Sequence, residues 1–155
     1  MELSEEQIER LRKSGIRLDT NGVFWHEGEP VTHLGLIAAL FRWLDRNPDG
    51  LYVLRLDDRR FVYLDVEDAP FVVRSIRWQD EVAIGVLSDK SEQPIDLGTL
   101  RLVKGRPYIT VRKGLAARLA NDVWTSLGDR LDEADGKSWI TIAGQRRALE
   151  ETSSI

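Results

Sequence analysis

A chain of 155 residues with 42% hydrophobic and 31% charged side chains has ordinary globular composition, enough for one domain or two small modules. Its 22 basic and 26 acidic side chains leave a net charge of -4, so there is no basic surplus to neutralise nucleic-acid phosphates, and nucleic acid is not an expected partner. Cysteine is absent, which excludes disulfides, thiolate nucleophiles and cysteine-ligated metal sites.

Met1-Glu2-Leu3-Ser4-Glu5-Glu6 lacks the basic start and apolar run of a secretory signal. No stretch approaches the roughly 18 consecutive apolar residues of a membrane helix, so a cytoplasmic protein without membrane contact is expected. Ser4 and Gln7 have capping-box spacing and predict a short helix ending near Gly15. Two apolar runs then flank Asn21-Gly22, which predicts a hairpin with a type I′ turn. Thr32 is the expected N-cap of a helix over about His33 to Asp45, with Leu36, Ile37, Leu40, Phe41 and Leu44 on one buried stripe. Asn47-Pro48-Asp49-Gly50 stops it.

Strands are expected at Leu51 to Leu56, Phe61 to Val66, Phe71 to Trp78 and Val82 to Leu87, with links short enough for antiparallel neighbours. Polar Ser88 to Pro94 reads as a boundary between an N-terminal module, 1–88, and a C-terminal one, 95–155. The second begins with a hairpin turning at Lys104-Gly105. Leu115, Leu119, Val123, Leu127 and Leu131 then recur at steps of four and predict a second helix. Ser138 to Ile142 is a further strand, and the tail from Glu150 reads as frayed.

Three segments of the first half return in order in the second. Gly28-Glu29-Pro30 is answered by Gly105-Arg106-Pro107, Gly35-Leu36-Ile37-Ala38-Ala39-Leu40 by Gly114-Leu115-Ala116-Ala117-Arg118-Leu119, and Asp49-Gly50 by Asp135-Gly136. The repeat predicts an α+β fold of two related small modules, each an antiparallel sheet packed with one main helix.

Chemistry is sparser. Trp25-His26-Glu27 sets an imidazole beside a carboxylate, and His26 with Glu27 or Asp68 could serve a hydrolase's acid–base work, although adjacent strand residues point to opposite faces. His26 and His33, seven residues apart across a proline turn, lack zinc-site spacing. Asp65, Glu67 and Asp68 could hold a divalent cation, but no glycine provides a calcium loop's sharp turn, so a structural turn is expected. Phosphate loops, dinucleotide fingerprints and nucleophile elbows are missing, and no cofactor or metal is expected. The five tryptophans, Trp25, Trp43, Trp78, Trp124 and Trp139, read mostly as core.

Ile16 to Pro30 resembles the N-terminal signature of a bacterial family, domain of unknown function 1285, in which a tryptophan precedes His-Glu-Gly-x-Pro. Here Trp25 stands slightly later than in that signature. Val66-Glu67-Asp68-Ala69-Pro70-Phe71 resembles the family's Val-Glu-Asp-Ala-Pro-Phe segment, and Arg106-Pro107-Tyr108-Ile109-Thr110-Val111-Arg112-Lys113-Gly114-Leu115 resembles a stretch of its second half. The resemblance implies two related α+β modules and a role in ligand sensing or signal transduction, and it brings no catalytic set. The resulting expectation is a non-enzymatic sensor or adaptor that binds a small anionic molecule or a protein partner near the junction of its modules. Trp25, His26, Glu27, Asp68, Phe71, Arg112 and Lys113 would form the site, with Arg112 or Lys113 at the second helix's start pairing with the anion. A homodimer is the remaining alternative.

Overall fold

A computed structural model describes residues 4–6 and 12–155, which fall into two units, Met1–Pro70 and Phe71–Ile155. The fold is mixed α+β and mostly strand, with two α-helices that lie wholly among the described residues. The helix expected to open at Ser4 falls mainly on residues outside those described. It does not run to Gly15, because the first strand already starts at Lys13.

The first unit contains β1 (Lys13–Leu18), β2 (Phe24–His26), β3 (Glu29–Pro30), helix α1 (Leu34–Trp43), β4 (Leu44–Arg46), β5 (Tyr52–Arg55) and β6 (Phe61–Val66). The strands form one sheet in the order β3-β2-β1-β6-β5-β4. It is mixed rather than antiparallel throughout, because β1 runs parallel to β6. Directly opposed residues share a face, so Leu18 with Phe24 and Leu44 with Leu54 identify the core side. Leu18, Phe24, Leu44, Leu54 and Leu64 are all buried there. From α1, Phe41 meets Phe24 edge to face, ring centroids 4.8 Å apart.

Helix α1 departs from expectation at both ends. Its N-cap is His33, not Thr32: the Leu36 amide donates to His33 Nδ1 at 3.1 Å, and His33 is extended at φ -70, ψ 115. The helix stops after Trp43 because Leu44, a residue of the expected stripe, is a sheet residue paired with Leu54. Leu36 is 43% exposed, and Ala39, Leu40 and Phe41 form the buried side instead. His33→Ala should cost about 1 kcal/mol in urea unfolding, while His33→Asn, which keeps a capping acceptor, should cost little.

The Asn21-Gly22 hairpin forms, but its loop has five residues and only Gly22 takes positive φ, at 82°. Asp19 dictates this loop. Its carboxylate accepts the Asn21 and Val23 amides at 2.9 Å each and the Trp25 indole N–H at 2.8 Å. Burial pushes the Asp19 carboxyl up, but these three donors and the Arg17 charge outweigh it and hold the group below its ordinary value.

The second unit comprises β7 (Phe71–Gln79), β8 (Val82–Leu87), β9 (Glu92–Pro94), β10 (Arg101–Val103), β11 (Arg106–Thr110), β12 (Ala116–Leu119), α2 (Asn121–Ser126), β13 (Leu131–Ala134), β14 (Lys137–Ile142), β15 (Gln145–Ala148) and β16 (Glu150–Thr152). One sheet has the order β16-β10-β11-β12-β7-β8-β9, and another the order β13-β14-β15. Here too the larger sheet is mixed, with β7 parallel to β12 and β10 parallel to β16. Ser88 to Pro94 divides no modules: it is the turn between β8 and β9 together with β9, and these two strands pair. The tail does not fray at Glu150, since β16 pairs with β10.

The long second helix is absent. Steps of four fit a strand as well as a helix, because four is a multiple of the strand's period of two. Leu115, Ala117 and Leu119 alternate along the chain into β12, each 2% exposed or less. Only Val123 and Leu127 obey the helical spacing, on and just beyond the six-residue α2, and Leu131 opens β13. The repeat therefore holds in part. Glu27-Gly28 and Lys104-Gly105 both take positive φ, 52° and 85° against 51° and 76°, in two-residue turns that place Pro30 and Pro107 alike in the following strand. Asp49-Gly50 and Asp135-Gly136 each lie in a hairpin turn, between β4 and β5 and between β13 and β14. The middle segment is helical in its first copy and strand in its second.

Candidate functional site

The seven expected site residues divide between the units. Trp25, His26, Glu27 and Asp68 belong to the first, and Phe71, Arg112 and Lys113 to the second.

In the second unit Arg112 is committed to structure. Its guanidinium lies over the buried Phe71 ring, 4.6 Å from the centroid. It donates to the Asp89 carboxylate, to Ser91 Oγ at 3.2 Å and to Gln93 Oε1 at 3.4 Å. Burial alone would raise the Asp89 carboxyl; the Ser91 hydroxyl, the Arg112 donor, the Ser91 amide and the Arg112 charge more than offset this and hold it below the usual value. Neither Arg112 nor Lys113 opens a helix. They sit in a tight turn ahead of β12, where Lys113 is left-handed at φ 57.

In the first unit the His26–Glu27 pair occupies a hairpin tip. His26 Nε2 and Glu27 Oε1 are 4.0 Å apart, and their side chains are 53% and 80% exposed. The cleft that a hydrolase would need does not enclose them, and an open pair of this kind is screened by water. Glu67 is an ion-pair residue, 2.5 Å from Arg17, and it also accepts the Thr20 amide. Among the described residues no group of three histidines or carboxylates could hold a metal ion.

None of the five tryptophans is fully buried, contrary to the core reading. An indole is large, and its N–H needs an acceptor, so it settles where one edge reaches polar surroundings. Four of the five carry an arginine within stacking distance: Arg17 at Trp25, Arg42 at Trp43, Arg130 at Trp78 and Arg146 at Trp139.

What the sequence did not disclose is a groove along the β1–β6 pair. Along the parallel pair, Lys13 stands opposite Tyr63 and Arg17 opposite Asp65, so Ser14-Gly15-Ile16 faces the single Leu64. This bulge is fixed by Ser14 Oγ, which donates to the Tyr63 carbonyl at 2.6 Å and accepts the Ile16 amide at 3.1 Å. Gly15 supplies the left-handed residue, φ 69, and its carbonyl accepts the Glu27 amide at 3.3 Å. The displaced backbone leaves a groove of about 470 Å³ lined by Lys13, Gly15, Ile16, Tyr52, Leu64 and Asp65 among others. A Cβ on Gly15 would lie 3.7 Å from Glu27 Cγ and 3.9 Å from His26 Cδ2, so the motif singled out from sequence packs beside Gly15 without lining the groove. Gly15 was legible only as a helix stop, because nothing in a single chain distinguishes a bulge glycine from a cap.

No family model matches the chain, and no curated protein matches it. Two solved structures do. A DUF1285 family protein from Silicibacter pomeroyi DSS-3 aligns with a TM-score of 0.72 at 20% identity, covering 88% of this chain and 80% of its own. A DUF1285 family protein from Shewanella baltica OS155 aligns at 0.61 and 20% identity, covering 74% of this chain and 90% of its own. The architecture is therefore that of an α+β bacterial fold type. In particular, the chain has the fold of DUF1285 family proteins.

Proposed function

We propose that this chain is a non-enzymatic binding protein of the DUF1285 type, a sensor or adaptor whose first unit takes a small ligand in the groove opened by the β1 bulge. The bulge carries the reading. A two-residue insertion in a parallel ladder forfeits backbone pairing, and such features concentrate where the chain re-aims side chains around a site. Ile16 and Leu64 offer an apolar floor, Tyr52 a wall, and Lys13 a cation at the rim. Asp65 on the same rim opposes a multiply charged anion, so a small monocarboxylic acid fits better than a phosphate.

A thermal-shift series with aliphatic and aromatic monocarboxylic acids tests this. A bound acid at 100 times its Kd should stabilise the protein by about 2.7 kcal/mol. Ile16→Trp, which fills the groove, should abolish the shift, and Lys13→Gln should weaken it. A silent panel, or shifts unchanged in Ile16→Trp, would sink the proposal.

A further inference from the structure

The second unit has its own open cavity, of about 280 Å³, bordered by the β7–β8 end, the turn after β9, and the β14–β15 hairpin. Its apolar side comes from Ile95, Leu97, Ile140 and Ile142. Two charged side chains converge at it over one backbone position. A Cβ built on Gly98 would lie 2.7 Å from Asp96 Oδ1 and 2.8 Å from Arg147 Nη2, so the two charged ends reach the same point. Asp96 Oδ1 accepts the Gly98 amide at 2.8 Å, and Arg147 Nη1 donates to the Gly98 carbonyl. Among the described residues no salt bridge joins Asp96 to Arg147.

The charge balance decides what such a cavity prefers. Glu81, also in the lining, has Arg130 Nη1 at 3.7 Å, and Arg130 in turn covers the Trp78 ring at 3.7 Å from its centroid. That offsets Glu81 and leaves one guanidinium and one carboxylate facing the cavity. A lone anion would satisfy Arg147 but meet Asp96, and a lone cation the reverse. A zwitterion satisfies both, and the branched apolar side chains accept its remainder.

We infer that the second unit binds an α-amino acid with an aliphatic side chain, its carboxylate on Arg147, its ammonium on Asp96 and its side chain against Ile95, Ile140 and Ile142. This site uses no residue of the first unit's groove and stands apart from the monocarboxylate proposal.

Titration of the full chain with L-leucine, followed by ¹H–¹⁵N spectra, is the test. The Trp78 indole resonance, assigned through Trp78→Phe, and the Gly98 amide should shift saturably, while the amides of Gly15 and Leu64 in the first unit should not. 4-Methylpentanoate and 3-methylbutylamine, which each lack one charge, should bind at least about tenfold more weakly. Arg147→Gln should weaken leucine by a similar factor. So should Asp96→Asn, which retains the acceptor for the Gly98 amide and so leaves the turn intact. No saturable shift, equal binding of 4-methylpentanoate, or unchanged binding in Asp96→Asn would each overturn the inference. Shifts confined to Gly15 and Leu64 would overturn it too while favouring the first-unit groove.

Discussion

Arg112→Ala is expected to destabilise the second unit by about 3 kcal/mol, the lower end for breaking one partner of a buried charge pair. The lower end applies because the Arg112 side chain is 35% exposed, whereas that of Asp89 is only 10% exposed. Removing the guanidinium leaves Asp89 with Ser91 alone and uncovers the Phe71 ring. Arg112→Lys should recover only part of the loss, because an ammonium cannot span Asp89, Ser91 and Gln93 while stacked on a ring. The pH dependence has a definite sign. The folded-state carboxyl of Asp89 is depressed from its ordinary 3.8, so its contribution is full above that value and is lost as pH falls toward the folded-state pKa. Urea midpoints measured from pH 7 down to the acid limb should therefore converge for wild type and Asp89→Asn below that range. Parallel curves would show that the pair contributes nothing.

Phe24→Ala should be the costliest single change in the first unit, at about 3–5 kcal/mol. Phe24 is 1% exposed and lies on the same sheet face as Leu18, directly opposite it, so truncation opens a cavity against α1. Phe24→Leu should keep most of the stability. In a double-mutant cycle with Phe41→Leu, the edge-to-face pair should show a coupling of about 1 kcal/mol. Coupling near zero would mean that burial alone accounts for Phe24.

These elements show what a single sequence can and cannot convey. The four strands between Leu51 and Leu87 were legible because alternation and short polar links are local signals. The hairpin turn at Lys104-Gly105 was legible, whereas the positive-φ turn at Glu27-Gly28 was visible only as Gly-x-Pro punctuation. The second helix failed for a local reason: steps of four satisfy both periods, and the left-handed Lys113 and Gly114 that divert the chain into β12 carry no unique spelling. Leu44 failed for a non-local one, because pairing with Leu54 overrode helical spacing. The candidate site was legible as residues but not as a place. His26 and Glu27 lie beside Gly15 but do not line the groove, and the bulge that opens it depends on β1 meeting β6, nearly fifty residues away in the chain. Arg112 was noticed for its charge, while its partners Asp89, Ser91 and Gln93 come from a turn and strand that had been read as a module boundary.

The half-buried indoles also make the protein its own instrument. Trp25 and Trp43 lie in the first unit, and Trp78, Trp124 and Trp139 in the second. Four of them are in contact with a guanidinium that leaves when the unit opens. Emission recorded from phenylalanine-substituted variants that retain one unit's tryptophans at a time will therefore follow the melting of each half separately. Coincident curves would mean that the 155-residue chain unfolds as a single cooperative body, and displaced curves that each half carries its own stability.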